Sequence, residues 1–338
     1  MSKTNMKPVL AVDLGGTKII TAVVSPDGNI ISRSYCLTLA DKGHEAVISR
    51  LLSVIGKTMT QAKLRTSELA GMGIAAAGAL DAERGVITDS PNLPGWRDIP
   101  LRDIMAEKVG VTTYVVNDAS AAALGEHRFG AGKGTRNLIY ITVSTGIGGG
   151  IVVDDKLYTG TDGTAGEIGH MTIEANGPEC TCGNYGCLEV LASGTAVAKE
   201  AKKRLSQGET SSVLELANGK IEDIGAEIVA RAAKQGDHLA CEIVARAANY
   251  LGIGLANLVN IFNPEMIVIG GGMSKMGNML LKPARKVVRE RAFQLPVRTA
   301  RIVRALLGGD AGVVGMAAYI AEQQWERDND ITVRMSEG

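Results

Sequence analysis

The sequence predicts an α/β fold organised as two domains. Its 338 residues suit about two domains, and a hydrophobic content of 45% is enough to form their cores. Residues 8–24 and 138–153 follow one pattern, in which an apolar strand leads through a glycine turn into a second strand. We predict a small α/β domain over residues 1–117, completed by a C-terminal helix over 311–330, and a large α/β domain over 118–310.

The first half combines strands of β-branched and aliphatic residues with two helices. A three-stranded meander opens the chain, and the glycine pair Gly15-Gly16 suits the turn of its first hairpin. Apolar residues spaced three and four apart predict the first helix. The predicted elements are strands over 8–12, 19–24 and 30–35, a helix over 44–63, strands over 71–78 and 113–116, and a helix over 119–129.

The second half repeats the strand and glycine turn and then becomes mainly helical. The glycine turn covers Ser144–Gly149, and Pro264 ends the longest helix because proline lacks a backbone N–H. The polar tail after the last helix is expected to have no regular structure. The predicted elements are strands over 138–143 and 150–153, a helix over 238–262, a strand over 266–270, and helices over 275–293 and from 311 to about 326.

Composition favours a protein that acts on small molecules over one that binds nucleic acid or a membrane. Thirty-six basic and thirty-six acidic residues leave no formal net charge, so no global field attracts a polyanion. Residues 1–7 lack the apolar core of a signal peptide, and no run of eighteen apolar residues occurs, so we expect a cytoplasmic protein. We interpret Cys36 and Cys241 as free thiols.

Residues 167–189 contain a candidate zinc site. One imidazole and three thiols match the Cys3His ligand set of a closed tetrahedral zinc centre. The alternative is that these cysteines are buried thiols or form disulfides, although a Cys-x-Cys spacing suits disulfide geometry poorly. Glu167 and Glu189 lie on either side of the cluster, so they are the candidate functional residues whose positions a structural zinc would fix. The predicted zinc ligands are His170, Cys180, Cys182 and Cys187.

Three glycine-rich turns, each directly after a strand, indicate phosphate binding. They lie at Gly15-Gly16, at 146–150 and at 270–272. Backbone amides in such turns, next to hydroxyl or ammonium side chains, form cradles for phosphate oxygens. A single turn of this kind is equally well explained as a tight connection, but three together favour a nucleotide.

Two aspartates at strand ends are candidates for phosphoryl-transfer chemistry. Asp118 follows the strand over 113–116, where a carboxylate can accept the proton of an attacking hydroxyl. The alternative is that Asp118 only caps the next helix. Asp13 precedes the first glycine turn and could hold a hydrated Mg²⁺ against nucleotide oxygens, or could be a simple turn residue.

These motifs, in this order, resemble the ROK family of sugar kinases and sugar-responsive repressors. The resemblance covers nearly the whole chain, and its cysteine run is its most specific part. It rests on Asp13-Leu-Gly-Gly-Thr-Lys18, Asn117-Asp118, Ser144-Thr-Gly-Ile-Gly-Gly-Gly150, Glu167-Ile-Gly-His170, Cys180-Thr-Cys-Gly-Asn-Tyr-Gly-Cys-Leu-Glu189 and Gly270-Gly-Gly272.

The resemblance implies an actin-like ATPase fold, with two RNase H-like α/β domains, a cleft between them and a structural zinc loop. It implies ATP with Mg²⁺ as cofactors, a structural Zn²⁺, and assembly as a homodimer or homotetramer. The residues expected to bind the nucleotide and its cation are Asp13, Gly15, Gly16, Thr17, Lys18, Thr145, Gly146, Gly148, Gly271 and Gly272.

The resemblance also implies the sugar site. Asp118 is similar in position to the catalytic base that activates the sugar 6-hydroxyl, and His170 would serve both zinc and sugar. Ala79 stands where relatives that prefer N-acetylated sugars can carry arginine, which favours an unsubstituted hexose. The expected sugar-binding residues are Gly78, Asn92, Asn117, Asp118, Glu167, His170 and Glu189.

The expected function is ATP-dependent phosphorylation of a hexose at its 6-hydroxyl, with glucose as the expected substrate. Fructose, mannose and N-acetylmannosamine remain alternatives. A repressor would need a DNA-binding domain before the first glycine turn, and only twelve residues precede Asp13, so we expect no nucleic-acid partner. A phosphotransferase for a non-sugar acceptor would leave Glu167 and Glu189 without a role.

Overall fold

The computed structural model describes residues 6–90 and 92–336. Most of the N-terminal stretch that we interpreted as lacking a leader therefore lies outside the described residues. The strands are β1 Val9–Leu14, β2 Lys18–Val24, β3 Ile30–Leu37, β4 Gly71–Ala76, β5 Ala79–Asp81, β6 Val86–Asp89, β7 Arg97–Ile99, β8 Thr113–Asn117, β9 Leu138–Val143, β10 Ile147–Val153, β11 Lys156–Tyr158, β12 Met266–Gly270 and β13 Arg301–Arg304.

The helices confirm the helical segments predicted around residues 44, 119 and 238. They are α1 His44–Ala62, α2 Leu101–Val109, α3 Asp118–Phe129, α4 Leu188–Ala192, α5 Gly194–Ser206, α6 Ser212–Leu216, α7 Ala226–Lys234, α8 His238–Phe262, α9 Asn278–Arg291, α10 Gln294–Thr299 and α11 Ala311–Ser336.

The strands form two five-stranded sheets and a small antiparallel one. The first sheet has the order β3-β2-β1-β4-β8, the second β11-β10-β9-β12-β13, and the small sheet β5-β6-β7. In the first sheet β1, β4 and β8 are parallel, while β1, β2 and β3 form the predicted antiparallel meander. In the second sheet β9, β12 and β13 are parallel.

The chain divides into two compact units. The first unit comprises residues 1–134, 150–165 and 309–338, and the second comprises 135–149 and 166–308. The predicted domain boundary was 117/118. The first unit extends further because α3 packs against α11, and Gly125 and Gly315 let the two helix backbones touch.

The first unit has a core of fully buried aliphatic and aromatic side chains. Leu51 of α1, Met72 of β4 and Trp96 belong to one buried cluster. The apolar residues Val47, Leu51 and Ile55 are each four apart, so they lie on one face of α1 and all are buried. The amphipathic pattern read from the sequence thus packs this helix onto the sheet.

The second unit is built around α8. Asp237 caps the helix by accepting a hydrogen bond from Ala240 N at 2.9 Å, and Asn263 ends it in the left-handed conformation directly before Pro264. Within the described residues α8 is long and apolar enough to cross a bilayer by length and composition. However, α8 packs against α4, α5, α7 and α9, and 61% of its most apolar 18-residue stretch is buried, as in the core helix of a globular protein.

Three predicted boundaries are wrong. Strand β10 begins at Ile147 instead of residue 150, because Gly148 and Gly149 continue the strand and do not form a turn. The helix predicted over 275–293 is divided at Gly277, whose φ of 60° interrupts it between a 3₁₀ turn at Gly272–Met276 and α9. Helix α11 continues to Ser336, so the polar tail forms helix as far as the structure describes it.

Candidate functional site

The carboxyl ends of three parallel strands carry the candidate residues of the first unit. Asp13 of β1 pairs with Ala75 of β4, and Ala76 pairs with Asn117 of β8. The residues that follow these strands therefore lie along one edge of the sheet. This edge is the usual place for ligands in open α/β sheets.

Asp118 is the first residue of α3, but the helix cap is its neighbour Asn117. The Asn117 side-chain oxygen accepts hydrogen bonds from Ala119 N at 3.0 Å and from Ser120 N at 3.2 Å. Asp118 Oδ1 also accepts from Ala119 N, at 2.8 Å. The capping alternative therefore applies to Asn117, and the half-buried Asp118 carboxylate is not needed as the cap.

Asp13 lies in an acidic and poorly solvated environment. Burial, together with the negative charges of Asp118 and Asp310, raises the pKa of its carboxyl to about 7, against the opposing effects of Lys18 and Arg33. Arg33 Nε pairs with Asp310 Oδ1 at 2.8 Å. A divalent cation at this place would compensate the carboxylate charges, as the predicted Mg²⁺ role requires.

The first glycine turn packs against the loop that carries Asn92. Gly15 N donates to Lys18 O at 3.1 Å, and Thr38 Oγ1 donates to Gly15 O at 2.6 Å, which together hold the turn. A Cβ on Gly16 would collide with the Asn92 backbone. The exposed Asn92 side chain is thus brought next to the predicted phosphate turn. Thr17 and Lys18, both exposed, complete the turn.

Gly78 follows β4 in a conformation that strongly favours glycine. Its φ is 114°, and a Cβ would collide with Asp89 O and with the Ser90 side chain. Ser90 Oγ in turn donates to Ala77 O at 2.9 Å. Gly78 therefore lies against the start of the loop that carries Asn92, and Ala79 beside it is exposed.

In the second unit, two of the predicted glycine turns meet. Gly271, with φ of 78°, lies so close to Val143 that any side chain would collide with the end of β9. A Cβ on Gly272 would lie 3.6 Å from Ser144 Oγ. Thr145 and Gly146 form the true turn after β9, whereas Gly148 belongs to strand β10.

The four predicted zinc ligands converge. Their ligand atoms all lie within 4.8 Å of one another. Cys182 Sγ is 3.8 Å from Cys187 Sγ, and Cys180 Sγ is 3.6 Å from His170 Nδ1. Tetrahedral zinc, with Zn–S of about 2.3 Å, would separate its sulfur ligands by roughly 3.8 Å. All five cysteines are free thiols, so the disulfide alternative is excluded.

The backbone of the cysteine loop supports a metal. Cys180 N donates to Asn184 O at 2.7 Å, and Gly183, with φ of 87°, makes the reversal between Cys182 and Asn184. A hydrogen bond from the Asn184 backbone lowers the pKa of Cys182, whereas burial raises the pKa of Cys187 to about 12. A buried thiolate at Cys187 needs a cation to be stable, and a Zn²⁺ ion would supply it.

The two glutamates that bracket the cluster make different contacts. Glu167 Oε2 lies 3.8 Å from His170 Nε2, on the side of the imidazole that faces away from the thiols. Glu189 Oε2 accepts a hydrogen bond from Ile147 N at 2.7 Å, and Gly146 leaves space for its carboxylate. Glu189 therefore joins the cysteine loop to the glycine turn after β9.

The predicted site residues thus form two groups, one in each compact unit. The first unit brings together Asp13, Gly15, Gly16, Gly78, Asn92, Asn117 and Asp118, and the second brings together Thr145, Gly146, Glu167, His170, Glu189, Gly271 and Gly272. Sequence reasoning missed Arg33 and Asp310, which influence Asp13, and Thr195, which holds Thr145. Their partners are remote in sequence, so no local motif could identify them.

Comparison with known proteins decides the family. The model of the ROK family matches residues 9–323. The chain belongs to the ROK family. A glucokinase from Thermotoga maritima is 39% identical over 93% of this chain and 98% of its own length. A xylose repressor from Caldicellulosiruptor bescii is 35% identical over 92% of this chain and 77% of its own length.

Solved structures of ROK proteins share the fold. A ROK family glucokinase from Streptomyces griseus, solved with glucose and AMPPNP, superposes with a TM-score of 0.82 at 37% identity, covering 94% of this chain and 99% of that one. The predicted actin-like ATPase fold is thereby confirmed. The Cys3His cluster fits the structural zinc expected for this ROK protein.

Cys182→Ser should lower the zinc content of the purified protein. The substitution removes one of four ligands, and a three-ligand site binds zinc more weakly. Metal analysis by mass spectrometry should show sub-stoichiometric zinc, together with a lower melting temperature. Cys241→Ser, which alters an exposed cysteine outside the cluster, is the control. Full zinc content in Cys182→Ser would contradict the ligand assignment.

The raised pKa of Asp13 predicts a pH-dependent stability. Its folded pKa of about 7 exceeds the ordinary value of 3.8, so between these values the folded state binds more protons than the unfolded state. The free energy of unfolding should therefore fall as the pH rises from about 4 to about 7. Denaturant titrations at several pH values test this in metal-free buffer.

The matched control for this prediction is Asp13→Asn, which should remove the Asp13 contribution to the slope. Asp118→Asn should only reduce it, because it deletes one of the charges that raise the pKa of Asp13. An unchanged slope in Asp13→Asn would show that Asp13 titrates normally.

Proposed function

We propose that this protein is an ATP-dependent hexose kinase that converts glucose to glucose 6-phosphate. The observation that carries the proposal is the position of Asp118, at the carboxyl end of β8 and electrostatically coupled to Asp13. The relationship to ROK glucokinases over 93% of the chain supports the substrate. A carboxylate that could act as base, beside a carboxylate that could hold a hydrated cation, suits phosphoryl transfer to a hydroxyl.

In the proposed reaction, the glucose 6-hydroxyl oxygen attacks the γ-phosphorus of ATP while its proton passes to the Asp118 carboxylate. The bond between the γ-phosphorus and the bridging oxygen breaks, and that electron pair leaves with ADP. Mg²⁺ would neutralise charge on the phosphate oxygens, and Asp13 would hold it through its hydration shell. Because Asn117 caps α3, the Asp118 backbone is fixed before substrate arrives.

The other predicted residues take roles according to their chemistry. Thr145, Gly146, Gly271 and Gly272 of the second unit, and Gly15, Gly16, Thr17 and Lys18 of the first, would contact nucleotide phosphates. Gly148, which we also predicted to contact the nucleotide, lies within strand β10 and outside the turn. Backbone amides and small side chains suit such contacts because they approach an anion closely.

Carboxylates, amides and an imidazole would recognise the sugar hydroxyls, since each can pair with one or two of them. In the second unit these groups are Glu167, His170 and Glu189. In the first unit Asn92 and Asn117 would contribute, with Gly78 forming the adjoining wall. His170 would bind zinc through Nδ1, which leaves Nε2 and its partner Glu167 for the sugar.

Zinc would serve this site as structural support. Four protein ligands leave no open coordination position, so the ion would not act as a Lewis acid. By holding His170 it would hold the imidazole that faces Glu167. The cation would thus fix the orientation of proposed sugar-binding groups that are themselves exposed or half-buried.

Asp118→Asn should abolish most turnover while leaving sugar binding nearly intact. The amide keeps the size of the carboxylate but cannot accept the hydroxyl proton, so kcat should fall by about 10²–10⁴-fold. A coupled ADP-release assay measures this, and Asp223→Asn, which changes an exposed acid in the second unit, is the control. Near-normal kcat in Asp118→Asn would refute the assignment of the base.

The substrate itself is tested by the same assay over glucose, fructose, mannose and N-acetylmannosamine. We propose glucose, because Ala79 is exposed and places no cation next to Gly78 for an N-acetyl group. A higher kcat/KM for one of the other sugars would replace glucose in the proposal without changing the reaction. Failure with every hexose would overturn the kinase function.

A sugar-responsive repressor is the second candidate, because the xylose repressor from Caldicellulosiruptor bescii is 35% identical to this chain over 92% of its length. The chain spans 77% of that repressor. Gel-shift assays with promoter DNA, with and without xylose or glucose, distinguish the two functions. Sugar-dependent DNA binding without ADP release would favour the repressor.

We also propose a homodimer or homotetramer in the cytoplasm. Exposed apolar side chains at the end of α8 and after α9 support self-association, since Ile261 is 68% exposed, Phe293 74% and Leu295 70%. Asn260 Oδ1 accepts from Phe293 N at 2.7 Å, which brings the two segments together.

Phe293→Glu should shift the protein towards the monomer, because a charge in a shared apolar interface is costly to bury. Sedimentation velocity measures the mass of the assembly. Ile31→Glu, at a residue 51% exposed in the first unit, is the comparison variant. If Phe293→Glu sediments like the wild-type oligomer, this surface is not the interface.

A further inference from the structure

Residues 189–195 make hydrogen bonds that fix the glycine turn after β9. Ile147 N donates to Glu189 Oε2 at 2.7 Å, and Gly194 N donates to Ser144 O at 2.7 Å. Thr195 donates to Thr145 O twice, from its backbone N at 3.2 Å and from Oγ1 at 2.8 Å. Residues 189–195 thus fix both sides of the turn.

These hydrogen bonds set the polarity of the turn. A loop that cradles phosphate must direct its amides to the anion and its carbonyl oxygens away from it, because the partial negative charge of a carbonyl oxygen repels the phosphate. The carbonyls of Ser144 and Thr145 are directed instead to Gly194 and Thr195. The α5 N-terminus therefore uses its first amides to orient the turn.

The same segment is continuous with the zinc cluster. Cys187, a predicted zinc ligand, directly precedes α4, and Glu189 lies in the first turn of that helix. Ser193 N donates to Glu189 O at 3.0 Å, and Ser193 Oγ caps α5 by accepting from Ala196 N at 3.2 Å. We name residues 187–195 the clamp segment, since hydrogen bonds fix it along its length.

We propose that Thr195 is a positioning residue for the phosphate-binding turn and that the clamp segment transmits the order of the zinc cluster to that turn. The inference rests on the proposed kinase function and extends it, because zinc then supports nucleotide binding as well as sugar binding. Thr195 acts through Thr145 and is not itself a sugar contact. Its side chain is the part of the clamp that can be changed without altering a proposed sugar ligand.

Thr195→Val removes the Oγ1 hydrogen bond to Thr145 while preserving shape and the backbone N–H. Titration calorimetry with AMPPNP and Mg²⁺ should show roughly fivefold weaker binding, the loss expected for one hydrogen bond. The KM for ATP should rise similarly, with the KM for glucose and the zinc content unchanged. Thr195→Ser keeps the hydroxyl and should restore wild-type values.

Unchanged AMPPNP binding in Thr195→Val would overturn the positioning role. An equal rise in both KM values, unrelieved by serine, would also overturn it, because that pattern indicates general damage. If the wild type did not bind AMPPNP, the claim that Thr195 positions a nucleotide-binding turn would be refuted.

Amide hydrogen exchange tests the link to zinc without relying on turnover. Peptides covering residues 144–147 should exchange several-fold faster after chelation of zinc, while peptides of β1 in the first unit should not change. Equal exchange with and without zinc would refute the transmission. If chelation also unfolds β1, the exchange of residues 144–147 is compared between Cys182→Ser, which lacks one predicted zinc ligand, and the wild type, and equal exchange refutes the transmission.

The two proposals fail in different ways. A wild type that phosphorylates no sugar refutes the kinase function, whereas the exchange of residues 144–147 still reports on the clamp. If the wild type is a kinase, but Thr195→Val binds AMPPNP normally and chelation of zinc leaves the exchange of residues 144–147 unchanged, the clamp alone is refuted.

Discussion

Parallel pairing of the central strands is the constraint on which the candidate site depends. In the first unit β1, β4 and β8 run in the same direction, and in the second unit β9 and β12 do so. Their carboxyl ends therefore share an edge, so the turns and helix starts that follow them become neighbours. Asp13 and Asp118 interact electrostatically although they lie 105 positions apart in the sequence. Strand register achieves this, because Asp13 pairs with Ala75 of β4 and the next residue of β4, Ala76, pairs with Asn117.

Both units concentrate groups that require positive charge. In the first, the charges of Asp118 and Asp310 act with burial to raise the pKa of Asp13. In the second, a buried thiol at Cys187 has a raised pKa beside two further cysteines. Folding brings these groups together at an electrostatic cost, which a cation offsets. The different donors favour different ions, because carboxylates suit hard Mg²⁺ and thiolates suit softer Zn²⁺.

Elements with strong local signals were predictable from the sequence, whereas elements defined by tertiary contacts were not. Helix α8 matches its prediction because a capping Asp237, a long apolar pattern and Pro264 are all local. The small sheet of β5, β6 and β7 was missed, because its strands of three and four residues carry too little pattern. The glycines at the start of β10 indicated a turn, but Gly149 and Gly150 lie in the strand, where neighbouring backbone and side chains leave no space for a Cβ.

By itself the sequence determined the ligand set of the cysteine cluster, the family to which the chain is similar and the candidate acids, because these depend on residue type and spacing. Only the tertiary structure decided that Asn117 caps α3 in place of Asp118, that His170 presents Nδ1 to the thiols and Nε2 to Glu167, and that Thr195 and Glu189 hold the turn after β9. Each of these depends on the direction in which a side chain or an amide points. The orientation of these groups follows from packing between segments that are distant in the chain, and the spacing of residues along the sequence does not specify it.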